Sequence, residues 1–306
     1  MSERVGFIGL GHMGGPMAQR LLDAGHRLAV RDVNAAALAP FAGRADVAVC
    51  ASPRAVAEES AVVFASLPTP AVLEQVATGA EGVAVASGFH GCLIDLSTTG
   101  VTVSRRVAAA LAARGIGFLD APVSGGIRGA EEGTLAVMVA GDAALYEAYR
   151  DLLGVIGKNV FYLGAEPGMG QAMKLVNNIL SSMALAASCE ALAVAAKAGI
   201  DPALAVDVLN AGSGRNSATL GQIPRQVLTG RFEGGFLTRL MLKDVKLFEE
   251  LAESLGVPTI VCAANVNAWR HAVAEGYGDE DFTHIATLME RRAGVTLQSA
   301  SAAQTG

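Results

Sequence analysis

Lys174 and Asn178 stand four residues apart in the segment Gly168-Met169-Gly170-Gln171-Ala172-Met173-Lys174-Leu175-Val176-Asn177-Asn178. From Gly170 to about Lys197 there is no proline and no further glycine, and Ala, Leu, Met, Glu and Lys fill most positions. The run is therefore predicted to be one helix. Roughly 28 residues at 1.5 Å each give about 42 Å, enough to pass from one domain into another. Its apolar character on nearly every face predicts burial all round. Residues at i and i+4 share a face, so the lysine and the amide point into the same space. An ammonium in an apolar wall is costly unless it is partnered or its pKa is lowered. A lysine so adjusted is a general acid or base. The competing reading is a lysine snorkelling at a helix end, and the rest of the chain decides between the two.

A second constellation lies at the N-terminus. Arg4-Val5-Gly6-Phe7-Ile8 reads as a strand running into Gly9-Leu10-Gly11-His12-Met13-Gly14, after which Met17, Ala18, Leu21 and Leu22 mark a helix. This is G-x-G-x-x-G between a strand and a helix, the context in which the motif binds a dinucleotide. Gly9 permits the turn, Gly11 lets a pyrophosphate approach the backbone, and Gly14 lets helix pack on strand, with the helix N-terminus facing the phosphates. Asp32 ends a second strand about 20 residues further on, where a carboxylate accepts hydrogen bonds from a ribose and repels a 2′-phosphate. NAD is thus expected over NADP, although Arg31 beside it offers a guanidinium to a 2′-phosphate. His12 is expected to line the surface of the turn.

Ser124-Gly125-Gly126 is a candidate anion cradle, since consecutive glycines expose backbone amides and a hydroxyl beside them completes a seat for a carboxylate. An ordinary turn is the alternative for that segment taken alone. Lys243 and Asp244, inside an amphipathic helical segment, read most simply as solvated charges, and a role facing a cofactor is the sharper reading. The four cysteines and five histidines are scattered without metal or redox spacing.

Positioning these groups falls to an alternation of strands and helices. Strands are predicted near 27–30, 47–49, 62–66, 92–96, 116–119, 134–140 and 159–163, with helices between them. Ser52-Pro53 supplies a cap and an N1 proline. Such alternation means a parallel, doubly wound α/β sheet of Rossmann type, whose ligands sit beyond the carboxyl ends of the strands. After the long helix every segment reads helical: roughly 202–211, 220–229, 238–255, 258–274 and 281–292. The expected layout is a dinucleotide-binding domain over 1–164, an all-helical domain over 165–297, and a frayed polar tail over 298–306. The long helix joins the two domains.

The chain has 306 residues, 52% hydrophobic and 17% charged, with a net charge of −6. That composition supplies a sizeable core, and the acidic balance without a Lys/Arg run argues against a nucleic-acid surface. The mean hydropathy of +0.41 raises the question of a membrane span. The most apolar window, 179–198, still holds Ser181, Ser182, Ser188, Glu190 and Lys197, which favours a buried helix. With no signal-peptide layout at the N-terminus, a reduced, cytoplasmic, metal-free protein is expected.

Four segments in order carry a family resemblance: Gly9-Leu10-Gly11-His12-Met13-Gly14-Gly15-Pro16-Met17-Ala18, Asp120-Ala121-Pro122-Val123-Ser124-Gly125-Gly126, the segment Gly168 to Asn178, and Lys243-Asp244. The chain resembles the β-hydroxyacid dehydrogenases, a group that includes 3-hydroxyisobutyrate dehydrogenase, tartronate semialdehyde reductase and, more distantly, 6-phosphogluconate dehydrogenase. The resemblance implies that Lys174 is the catalytic acid/base and that Asn178 orients substrate or lysine. It implies that Ser124, Gly125 and Gly126 hold a substrate carboxylate, with Asn177 beside the substrate. Leu67, Pro68, Thr98 and Lys243 would then lie along the cofactor with Gly9, Leu10, Gly11, His12, Met13, Gly14 and Asp32. The implied activity is NAD-dependent interconversion of a small 3-hydroxy acid and its semialdehyde or keto form, with NADP possible. The alternatives are an NADPH-dependent reductase of a small semialdehyde such as tartronate or succinic semialdehyde, and an inactive NAD-binding module. Ser97-Thr98-Thr99 departs from the hydroxyisobutyrate branch, which usually ends that triplet in isoleucine. Arg128 and Arg215-Asn216-Ser217 also fall where selectivity could reside. The 6-phosphogluconate branch usually has a histidine near Asn177, and imine reductases usually lack the lysine, so neither fits. The C-terminal helices are apolar on more faces than one small domain covers, which points to a homodimer or homotetramer.

Overall fold

The structure, a computed structural model, describes residues 4–299. Two compact units divide the chain between Lys174 and Leu175, inside the long helix Met169–Lys197.

The first unit is built on nine strands: β1 (Arg4–Ile8), β2 (Leu28–Arg31), β3 (Val47–Val49), β4 (Ser60–Ala65), β5 (Cys92–Asp95), β6 (Gly117–Asp120), β7 (Val123–Ser124), β8 (Ala136–Gly141) and β9 (Asn159–Gly164). Their order is β3-β2-β1-β4-β5-β6-β8-β7, with β9 also on β8. Alternation along the strands sends Phe7, Leu28, Val30, Phe64 and Ile94 into one core layer, and Ile8, Ala29, Val63 and Leu93 into the other. Burial on both faces is why these strands read as near-continuous apolar runs. Strands β1 to β6 are parallel. Beyond them the sheet is mixed: β8 runs antiparallel to β6 and β7, and β9 parallel to β8. The chain between β7 and β8 carries only the seven-residue helix Gly126–Glu132 and folds straight back, with no crossover of the kind a parallel pair requires. That helix was not foreseen, because Gly126 and Gly129 within it are poor helix formers and Ser124-Gly125-Gly126 read as a turn or a cradle. Gly129 packs closely there: an added Cβ would lie 3.0 Å from Leu135 Cδ2.

The second unit is helical around Trp269, which is fully buried with Ile179, Leu185, Cys189, Leu192 and Val206. The indole donates to Asn265 Oδ1 at 3.2 Å, and Asn265 Nδ2 donates to Ser182 Oγ at 2.8 Å, so these three side chains satisfy one another. Asp201 caps Pro202–Ala211 through Leu204 N, and Asn216 forms a capping box with Thr219. The single helix expected over 220–229 is instead Ser217–Leu220 followed by a π-helical turn, Ile223–Val227. Gly221 ends the first, and Pro224, inside the second, has no N–H for the bond back to Leu220, so one continuous helix does not form. Of the expected tail, Ser299 is buried and donates its amide to Leu228 O at 3.0 Å; 300–306 lie outside the described residues. Among the described residues only Met169–Lys197 is long and apolar enough to cross a membrane. Leu185, Cys189 and Leu192 on it belong to the helical core.

Candidate active site

The turn after β1 is shaped by two glycines that accept no substitute. Gly9 has φ +89°, and a Cβ there would lie 2.2 Å from Ser66 O. At Gly14, the first residue of the helix Gly14–Asp23, a Cβ would lie 1.9 Å from Gly9 O. Gly11 is different: an added Cβ would meet nothing within 4 Å. That open approach to backbone is what a pyrophosphate needs. The helix behind it has no side-chain cap at Met13, leaving its N-terminal dipole to an anion. Asp32, just past β2, accepts from Leu10 N at 2.6 Å and from Asn34 N at 2.7 Å. The carboxylate thus joins the turn to the strand end, and each oxygen keeps a lone pair for a ribose hydroxyl. The Arg31 guanidinium donates to the backbone carbonyl of Asp32. These residues fit a dinucleotide. The side chain of Leu10 is buried in the core while His12 is exposed.

Leu67 follows β4, and its amide donates to Ser97 Oγ at 2.8 Å, which joins the Leu67-Pro68 and Ser97-Thr98-Thr99 segments. Asp95, at the end of β5, accepts from Ser97 N at 3.0 Å and Thr99 Oγ1 at 2.9 Å. Asp120, at the end of β6, accepts from Gly168 N at 2.8 Å and Gln171 N at 2.9 Å, which satisfies two amides at the start of the long helix. The Gln171 amide accepts from Thr99 N at 2.9 Å and Gly100 N at 3.1 Å, and donates to Ser97 O at 2.9 Å. Burial, reinforced by the Asp95 charge, pushes the Asp120 carboxyl up to about 6 against the opposing pull of its amide donors. Lys174, one turn beyond Gln171, is 8% exposed. Ser124 ends β7; Gly125 and Gly126 follow at φ +143° and +69°, and a Cβ on Gly126 would meet nothing within 4 Å. Arg128 is exposed and paired with Glu132 at 2.6 Å.

In the second unit, Asn178 Nδ2 donates to Asp244 Oδ2 at 2.6 Å, and Asn177 Nδ2 donates to Asn178 Oδ1 at 3.0 Å. Lys243 Nζ meets Asp244 Oδ1 at 2.9 Å. The expectation of solvated charges at Lys243 and Asp244 is corrected: Asp244 is 1% exposed. It shares the buried face of the helix Thr238–Ser254 with Met241 and Val245, a periodicity already present in the sequence. Asp120 and Gln171 were given no role of their own, and Asp244 was weighed only beside Lys243 as a solvated charge or a group facing the cofactor. Their signal was polar residues at core positions, where polar groups need partners.

A doubly wound sheet with a G-x-G-x-x-G turn and an acidic residue at the end of β2 defines a dinucleotide-binding oxidoreductase domain. The sequence profile of the NAD binding domain of 6-phosphogluconate dehydrogenase matches residues 4–164. That of the NAD-binding of NADP-dependent 3-hydroxyisobutyrate dehydrogenase matches 168–289. The chain is 34% identical to the 2-(hydroxymethyl)glutarate dehydrogenase of Eubacterium barkeri, over 97% of this chain and 98% of that protein. It is 37% identical to the 3-hydroxyisobutyrate dehydrogenase of Pseudomonas aeruginosa, over 93% and 97%. The crystal structure of 3-hydroxyisobutyrate dehydrogenase from Salmonella typhimurium superposes with a TM-score of 0.85 at 30% identity, covering 94% of this chain and all of that one. The chain belongs to the β-hydroxyacid dehydrogenase family. It is an NAD(P)-dependent dehydrogenase acting on a CH–OH group.

Proposed function

We propose that the substrate is a small 3-hydroxy acid, oxidised to its semialdehyde or keto form with NAD, and that Lys174 is the acid/base. The observation that carries this reading is a lysine held 8% exposed one turn beyond a helix start tied down by Asp120 and Gln171. Asn178 follows it at i+4, its amide oriented by Asp244 and Asn177. Bound nicotinamide would supply the hydride acceptor. The neutral Lys174 amine takes the hydroxyl proton as the C–H electron pair leaves and the carbonyl forms; in reduction the ammonium returns that proton to the alkoxide oxygen. Asn178 positions the hydroxyl, and Ser124 with the amides at Gly125 and Gly126 holds the carboxylate. Gly11 and the helix N-terminus would hold the pyrophosphate and Asp32 the ribose, with Leu67, Pro68, Thr98 and Lys243 along the dinucleotide. Arg31 beside Asp32 favours the second reading, an NADPH-dependent semialdehyde reductase.

Nicotinamide reduction with hydroxyisobutyrate, glycerate, threonate, serine and 4-hydroxybutyrate, each with NAD and NADP, tests the assignment. Turnover of one acid with NAD supports it, a preference for NADP moves the cofactor choice to Arg31, and silence across the panel rejects this substrate class. A homo-oligomer belongs to the same reading, supported by exposed Leu180, Val194, Leu204 and Val208. A monomer in sedimentation at micromolar concentration would rule it out.

A further inference from the structure

Gln171 carries no role in the chemistry above, yet its buried amide makes three hydrogen bonds close in sequence to the proposed base. It is fully buried and makes three hydrogen bonds to consecutive backbone groups, accepting from Thr99 and Gly100 and donating to Ser97 O. The loop it grips is held from the other side by Asp95, through Ser97 N and Thr99 Oγ1. Thr98 sits between these anchors. On the helix side, Asp120 fixes Gly168 and Gln171 through their amides. Gly170 leaves no slack there: a Cβ on it would lie 2.3 Å from Met138 O and 2.8 Å from Asp120 Oδ2. The first turn of the helix is therefore pinned to Asp120 at the end of β6 and to the loop after β5, and packed closely on Met138 of β8; Lys174 is in the next turn.

We infer that Gln171 is a positioning residue, which locks the turn carrying Lys174 to the Ser97–Gly100 loop and so fixes the base relative to the stretch that lies along the dinucleotide. A generic core contact could be apolar, and burying an amide costs unless its bonds are made. Here one amide spans helix and loop with directional bonds, the kind of support that holds a reacting group in register. The inference rests on Lys174 being the acid/base.

The test uses the full chain. Gln171→Met keeps length and approximate volume but makes none of the three bonds. Gln171→Glu in its acid form keeps both acceptor bonds and a donor to Ser97 O. Hydrogen–deuterium exchange without cofactor should show the Thr99 and Gly100 amides exchanging faster in Gln171→Met and protected in Gln171→Glu. With the hydroxy acid that the wild type oxidises, kcat of Gln171→Met should fall on the order of 10²-fold, the scale of a displaced reacting group. KM should move little. The isotope effect with substrate deuterated at the carbinol carbon should rise, because the chemical step has slowed. Gln171→Glu should recover both. A merely structural role would lower the active fraction, leaving KM and the isotope effect of the surviving enzyme unchanged. Released amides with kcat and isotope effect at wild-type values in either variant would overturn the inference. If Gln171→Met does not fold, the Glu variant alone decides: protected amides with a 10²-fold lower kcat would also overturn it. Lys174→Ala, run alongside, separates the two ideas, because near-normal turnover there removes the base itself.

Discussion

Gly11 and Gly14 lie three residues apart in one turn, and the structure assigns them opposite consequences. At Gly14 a methyl group would sit 1.9 Å from Gly9 O and 2.9 Å from Gly9 C. Ordinary C···O contacts are about 3.3 Å or longer, and both partners are backbone, so strand and helix must part by more than about 1 Å. Overpacking of that kind costs about 1–3 kcal/mol or more, a sizeable share of the roughly 5–15 kcal/mol that stabilises a domain. At Gly11 the same methyl meets nothing within 4 Å. Its effect on stability should be within about 0.5 kcal/mol, or slightly favourable because alanine stiffens the unfolded chain. The cost of Gly11→Ala should fall on the ligand, since the methyl occupies the approach of the pyrophosphate. A tenfold or greater rise in Kd for NADH, about 1.4 kcal/mol, is expected. Urea unfolding by circular dichroism and titration of NADH fluorescence read the two effects separately. Gly14→Ala should lose both stability and binding, Gly11→Ala only binding. Gly11→Ala with unaltered NADH affinity would show that the pyrophosphate does not pass over this turn.

Two further outcomes concern the buried carboxylates Asp244 and Asp120. Asp244→Ala removes the carboxylate that pairs with Lys243 and accepts from the Asn178 amide. Loss of a buried partner costs about 3–5 kcal/mol, reduced here to about 2–3 kcal/mol because the Lys243 side chain keeps 20% exposure. Trp269, the single tryptophan and buried in the same helical core, reports that unit in urea. A change below about 0.5 kcal/mol, as at ordinary surface sites, would contradict the pairing. Asp120 has its pKa raised from 3.8 to about 6, so the folded chain holds this proton more tightly than the unfolded chain. The group's contribution is therefore most favourable below about pH 4 and is lost as pH rises through about 6. Relative to Asp120→Asn, the wild type should gain roughly 2–3 kcal/mol of stability between pH 7 and pH 4, from a pKa rise of about two units. A wild type whose stability relative to Asp120→Asn is constant or rises toward pH 7 would reject the raised pKa.

Much of this layout was legible because it rests on local rules. Strand β1 and the glycine turn are set by one apolar run and three spaced glycines, and Pro202–Ala211 by an Asp cap and an N1 proline. The long helix is set by an absence of breakers. What escaped depends on partners distant in sequence. Gln171 and Asp120 look like ordinary polar residues until the fold sets them 51 positions apart in one hydrogen bond. The antiparallel β8 is chosen by how the chain returns beside β6, which periodicity does not encode. Asp244 was legible and misread: its spacing to Met241 and Val245 put it on the buried face, and its acidity suggested solvent instead.

The most direct measurement is steady-state turnover of Lys174→Ala with the hydroxy acid the wild type oxidises, paired with NADH titration. Loss of the acid/base should lower kcat by roughly 10²- to 10⁴-fold, while NADH affinity stays within about tenfold of wild type. Turnover near the wild-type rate, with cofactor bound normally, would contradict the assignment of Lys174.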